Sequence, residues 1–176
     1  KAQKLRVGNP EDRQTQIGAI TMREQLDKIQ RYCEIAQEEG ATKLFGGEPA
    51  HVGGDFENGW FWNATAFEGL PTHRVVREEI FGPVATFLRF KDEAEAIRLA
   101  NDSEYGLSAG LWTNNLKQAH RAAAAIKAGT VWINCYNLID PATPFGGFKQ
   151  SGWGREHGRQ AMELYSEVKS VWVNLS

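Results

Sequence analysis

Residues 143–158, TPFGGFKQSGWGREHG, set five glycines among three aromatic rings, Lys149, Arg155, Glu156 and His157. Such a stretch offers the parts of a catalytic loop, a phosphate cradle or a tight structural corner. A phosphate-binding loop needs G-x-x-x-x-G-K-[ST]; Gly147 and Gly152 have the glycine spacing, but Trp153 stands where the lysine must be. A dinucleotide fingerprint needs G-x-G-x-x-G, and Gly152, Gly154 and Gly158 are spaced one residue too wide. A nucleophile elbow fails as well, because Phe148, Lys149 and Gln150 precede Ser151 without the required glycine.

Two other places carry reactive groups. Cys135 closes the strand-like run TVWIN, a position from which a thiolate can act as nucleophile. Its neighbours Asn134, Tyr136 and Asn137 include no base or cation to activate it, which weighs toward a structural role. In VVREEIFGPVATF, the paired carboxylates Glu78 and Glu79 precede an aromatic ring, a glycine and a proline. They make either a solvated acidic turn or a carboxylate site for ligand hydroxyls beside a packing ring, and spacing does not choose. His51, His73, His120 and His157 have no metal-ligand spacing and no cysteine joins them.

The elements that must position these groups follow from periodicity. A helix is expected over 21–39, opened by a capping box of Thr21 and Glu24 and closed by Gly40. Met22, Leu26, Ile29, Cys33 and Ala36 form its apolar stripe, so Cys33 reads as a small core residue. Strands are expected over 42–45, 60–67 and 84–90, then a helix capped by Asp92 and Glu95 to about Ala100. A strand over 107–112, a helix over 115–128 and the strand 130–134 follow; Glu156 to Tyr165 reads as a helix and 168–175 as a final strand. Strands alternating with long helices predict an α/β fold with a mostly parallel sheet and crossover connections.

The whole-chain numbers fit that fold. A chain of 176 residues can bury a core of its own. A net charge of −2 with scattered basic residues gives no nucleic-acid footprint. Mean hydropathy of −0.47 and the lack of a long apolar run exclude a spanning helix. Two cysteines without a framework point to a reducing, cytoplasmic compartment. The opening residues KAQKLRVGNP read as the end of a basic helix entering a turn, so a longer parent chain is expected.

EEIFGPV at 78–84, NDSEYGLSAGLWT at 101–113, GTVWINCYN at 129–137 and PFGGFKQSGWGREHG at 144–158 together resemble the aldehyde dehydrogenase family, in order and in spacing. The resemblance implies that family's catalytic-domain fold and the oxidation of an aldehyde to a carboxylic acid with NAD or NADP. In such enzymes a cysteine thiolate forms a thiohemiacetal, hydride leaves, and water hydrolyses the resulting thioester.

Position by position, the resemblance makes Glu79 the carboxylate for the nicotinamide ribose and Phe81 the ring beside it. Phe145 falls between nicotinamide and substrate, and Ile139 on the wall of the substrate channel. Glu156 matches a glutamate linked to proton relay, while Arg155 and Glu167 match charged interface positions. The backbone carbonyls of Lys149 and Gly152 match potassium donors of betaine aldehyde dehydrogenases. Trp132, Tyr136 and Phe145 suit a cage for a cationic substrate or ordinary core packing equally well.

No residue here matches the family's nucleophile, general base, oxyanion asparagine or nucleotide-binding half. The resemblance therefore implies a C-terminal portion, with 1–165 in the catalytic domain and 166–176 as an oligomerisation strand. It is expected to be inactive alone, to work with the upstream half of the enzyme, and to assemble as a dimer or tetramer. The competing expectation is a non-catalytic assembly module that pairs through its last strand. Neither nucleic acid nor membrane is an expected partner.

Overall fold

The computed structural model describes residues 1–176, which divide into two units, Lys1–Arg89 and Phe90–Ser176. In the first, the basic opening residues form only a 3₁₀ turn at Ala2–Lys4. Helix α1 then spans Arg23–Glu38. The expected capping box does not form: Met22 is the N-cap, with extended backbone and no side-chain bond. Thr21 lies one residue too early for its hydroxyl to reach the first turn. The other end follows the expectation, with Gly40 at φ 84°. Gly40 N–H donates to Gln37 O at 3.0 Å and Ala41 N–H to Ala36 O at 2.8 Å, which satisfies the last carbonyls.

Strands β1 (Thr42–Phe45), β2 (Thr65–Glu68) and β3 (Val84–Phe87) form one sheet in that order. β1 pairs antiparallel with β2 and β2 pairs parallel with β3. The short helix α2, Arg74–Arg77, connects β2 to β3. Ile29, Cys33 and Ala36 of α1 pack with Trp62, Phe67, Val75 and Ile80 into one core. Cys33 is thus the core residue its stripe position predicts, and burial pushes its thiol up to about 11. The expected strand over 60–67 is shorter than foreseen, because Trp62 turns inward and its indole N–H donates to Thr65 Oγ1 at 3.1 Å.

In the second unit, α3 (Glu93–Asn101) has the expected cap: Asp92 Oδ1 accepts from Glu95 N–H at 2.8 Å. The Glu95 carboxylate returns to Lys91 N–H at 3.0 Å. After β4 (Tyr105–Gly106), strand β5 (Ser108–Leu111), helix α4 (Leu116–Ala125) and strand β6 (Thr130–Ile133) make a crossover unit in which β5 and β6 are parallel. Asn101 closes α4 by donating to Ala125 O at 2.9 Å and accepting from Lys127 N–H at 2.7 Å. β7 (Phe148–Lys149), absent from the sequence reading, pairs antiparallel with β4.

The α/β organisation is as expected, with two parallel and two antiparallel pairings in mixed sheets. Helix α5 covers Gly158–Leu164, two residues later than expected, because Glu156 is held in a bridge to Phe145. Residues 166–176 adopt no strand. A strand needs a ladder partner and this segment has none in the chain, so Val168, Trp172 and Leu175 stand fully exposed.

Candidate functional site

The structure separates the two carboxylates that sequence spacing left equivalent. Glu78 is bound by Arg74, whose Nε and Nη2 donate to its two oxygens at 2.7 and 3.0 Å. The Tyr32 hydroxyl also donates to Glu78. The Arg74 guanidinium, then the Tyr32 hydroxyl, hold the Glu78 carboxyl down at about 2. Glu79 is exposed, and its carboxylate makes no hydrogen bond or ion pair.

The backbone that carries Glu79 is fixed from α1. Lys28 Nζ donates to Glu79 O at 2.7 Å. Gln25 Nε2 donates to two successive carbonyls, Ile80 O at 2.7 Å and Phe81 O at 2.8 Å. Those bonds hold Phe81 at φ 59°, a left-handed conformation that a bulky residue adopts only under constraint. Ile80 is buried beside α1, whereas the Phe81 ring is 77% exposed. The loop therefore presents a free carboxylate and a bare aromatic face on an immobilised backbone. A carboxylate accepts two hydroxyl donors and a ring stacks on a flat heterocycle.

In the second unit, Ile139 and Phe145 meet at a cavity of about 290 Å³. Thr130 and Trp132 of β6 also line it, with Gly129, Leu138, Thr143 and Pro144. Trp132 is buried, and its indole N–H donates to Leu138 O at 2.9 Å, which fixes the start of the loop bearing Ile139. Tyr136 sits edge-on to Trp132 at 5.1 Å. Phe145 exchanges two 2.7 Å backbone bonds with Glu156.

The glycine-rich loop beyond it holds itself in place. Arg155 Nη1 donates to Gly147 O at 3.0 Å and Gly154 O at 2.6 Å, with its guanidinium 5.2 Å over the Phe148 ring. Arg155 thus makes contacts within its own loop. Lys149, at φ 54°, donates its ammonium to Asn101 O and Ser103 O, both at 2.9 Å, where the carbonyl end of α3 attracts a cation. The Lys149 carbonyl accepts from Gly152 N–H at 3.5 Å. Gly129 permits the close approach beneath: a Cβ there would lie 1.7 Å from Gly146 O.

Glu156 and Glu167 are exposed at their side chains. Cys135 is half-buried after β6. No group of three or more His, Cys, Asp or Glu is placed to hold a metal, and no helix is long and apolar enough to cross a membrane.

Sequence reasoning missed Gln25, Lys28, Tyr32 and Arg74. The first three occur at i, i+3 and i+7 on α1, a single polar edge beside the apolar stripe. That edge was visible in the periodicity. Its target, about fifty residues downstream, was not.

The chain matches the family model described as the aldehyde dehydrogenase family over residues 1–171. It is 46% identical to an aldehyde dehydrogenase of Rhodospirillum rubrum across 97% of this chain and 34% of that protein. It is 47% identical to a betaine aldehyde dehydrogenase of Mesorhizobium japonicum across 98% of this chain and 36% of that protein. Among solved structures, the NAD⁺ complex of an aldehyde dehydrogenase from Bacillus cereus superposes with a TM-score of 0.91 at 45% identity. That superposition covers 99% of this chain and 35% of the other. The chain spans about a third of the length of the curated relatives it matches.

Proposed function

We propose, from the premise that this chain belongs to the aldehyde dehydrogenase family, that it is the cofactor-side and substrate-pocket portion of an NAD(P)-dependent aldehyde dehydrogenase. The observation that carries the reading is the divergence of Glu78 and Glu79: one carboxylate is spent on structure and its neighbour is left free beside an exposed ring. That pairing fits the diol and the flat ring of a nicotinamide riboside.

The nicotinamide group, when bound, accepts the hydride that leaves the aldehyde carbon. On this reading Glu79 accepts both ribose hydroxyls and Phe81 packs on the sugar and ring. Gln25 and Lys28 keep the backbone from yielding when those contacts form. In the second unit, Phe145 and Ile139 supply an apolar wall against which the aldehyde is oriented and from which water is excluded. Glu156 is the proton-relay group, and the cysteine nucleophile belongs to the upstream half of the enzyme. A potassium ion would take the backbone carbonyls of Lys149 and Gly152 as two of its oxygens.

The domain reading places 1–165 in the catalytic domain and 166–176 in a strand completed by another subunit, with Arg155 and Glu167 near that contact. The exposed Val171, Trp172, Val173 and Leu175 support a dimer or tetramer built through this segment. A reducing, cytoplasmic setting suits the half-buried, unpaired Cys135.

The test is aldehyde-dependent formation of reduced dinucleotide, followed by its absorbance. The enzyme containing the upstream half forms it, and the 176-residue chain alone does not. Turnover by the isolated chain that disappears with Cys135→Ala would overturn the assignment of the nucleophile. Phe145→Ala is expected to raise KM for the aldehyde by about tenfold.

A further inference from the structure

We propose that Tyr32 and Arg74 are positioning residues for dinucleotide binding: by anchoring Glu78 they hold the adjacent Glu79 carboxylate outward, toward the ribose diol. The inference rests on the proposed role of Glu79 and adds what makes that side chain available.

Glu78 is the C-cap that follows α2, with φ −100° and ψ 144°, an extended conformation. Consecutive side chains on extended backbone point to opposite sides. Drawing Glu78 onto α1 and α2 therefore turns Glu79 the other way. Without that anchor, two neighbouring carboxylates compete for the same cations, and only the Gln25 and Lys28 bonds to the backbone resist their exchange.

The anchor is built from several directions. Arg74 forks onto both Glu78 oxygens, and its own backbone N–H is held by Glu39 Oε2 at 2.7 Å. The Tyr32 hydroxyl donates to Glu78, and the Tyr32 ring carries the Arg74 guanidinium at 5.6 Å and the Lys28 ammonium at 5.8 Å. Lys28 closes the circuit on the Glu79 carbonyl. The charged groups facing Glu78 are therefore Arg74 and Lys28, with Glu39 behind Arg74. They keep Glu78 ionised, and its hydrogen bond to Tyr32 raises the phenol above its ordinary value, so the bond persists at neutral pH.

The experiment is a double-mutant cycle in the holoenzyme that carries this chain, reading the dinucleotide Kd, both KM values and kcat. Glu79→Gln is expected to weaken dinucleotide binding by about tenfold or more. Tyr32→Phe and Arg74→Gln should each weaken it by about threefold to tenfold. KM for the aldehyde and the thermal midpoint should change far less, which a merely structural role would not produce. In the Glu79→Gln background, Tyr32→Phe should have no further effect on the dinucleotide. Arg74→Lys, which keeps the charge and loses the fork, should recover part of the affinity lost in Arg74→Gln.

The inference is overturned if Glu79→Gln weakens the dinucleotide while Tyr32→Phe and Arg74→Gln do not. It is equally overturned if their effects add in full to that of Glu79→Gln. A Glu79→Gln enzyme with unaltered dinucleotide affinity would instead remove the cofactor role of Glu79, and this inference with it.

Discussion

Loops 78–84 and 143–158 both bend bulky residues into left-handed backbone, at Phe81 in one and at Lys149 and His157 in the other. They hold that strain in different proportions of outside and internal contacts. The first has one internal backbone bond, Val84 N–H to Gly82 O at 2.7 Å, and is otherwise held from outside: Gln25 and Lys28 reach it from a helix more than fifty residues earlier in the chain. The second is stapled largely from within, by Arg155 on the Gly147 and Gly154 carbonyls and by the Phe145–Glu156 bridge, with Lys149 and β7 tying it to residues 101–106. A loop held from outside leaves its own side chains free, as Glu79 and Phe81 are. In the loop stapled mainly from within, the Arg155 guanidinium is taken up by its own loop's carbonyls, whereas the Glu156 side chain stays exposed.

That contrast ranks the substitutions. The self-held loop depends on the close backbone approach at Gly129, so Gly129→Ala forces backbone apart and should cost about 3 kcal/mol or more in urea unfolding. Arg155→Ala removes two charge-assisted bonds and a cation–π contact and should cost about 2 kcal/mol by the same measurement. Gln25→Ala acts on the other loop and should cost only about 1 kcal/mol. Its larger consequence is faster hydrogen exchange confined to 79–82, with 143–158 unaffected. Equal loosening of both loops would erase the distinction drawn between them.

Acid and thiol chemistry sharpen the first unit further. Glu78 has a folded value near 2, below its ordinary 4.5. A depressed carboxylate contributes stability in full above 4.5 and loses it as pH falls toward 2. The anchor of loop 78–84 should therefore hold at pH 5 and fail in that window, which a carboxyl-carbon NMR titration of Glu78 would follow; a midpoint at 4.5 would mean that the anchor is absent. Cys33, buried with a raised value, should resist a thiol reagent at neutral pH in the folded chain, while half-buried Cys135 reacts. Both should react in denaturant.

Local signals were legible and distant ones were not. The Gly40 stop and the Asp92 cap rest on residues within a turn of one another, and the stripe of α1 and the elements β5, α4 and β6 each on their own local period. They appear in the structure where periodicity puts them, except that Met22, expected to open the stripe, is the exposed N-cap. Thr21 misled because a capping box can be written one residue out of register with the helix it should open. β7 was missed because two residues carry no period, and its partner Tyr105 lies over forty positions away. Residues 168–175 have the alternation of a strand and no strand to pair with in this chain. At the candidate site, spacing found the pair Glu78–Glu79 and the resemblance singled out Glu79, but the binding of Glu78 by Tyr32 and Arg74 is a set of contacts that only folding creates.

The central claim is that Glu79 and Phe81, displayed by a backbone locked to α1, bind the nicotinamide ribose. The most direct measurement is a crystal structure of the holoenzyme carrying this chain with the dinucleotide bound. The account predicts both Glu79 carboxylate oxygens at hydrogen-bond distance from the ribose hydroxyls, Phe81 against the sugar, and Glu78 still on Arg74 and Tyr32. Ribose hydroxyls bound elsewhere, or Glu78 released to take them, would contradict it.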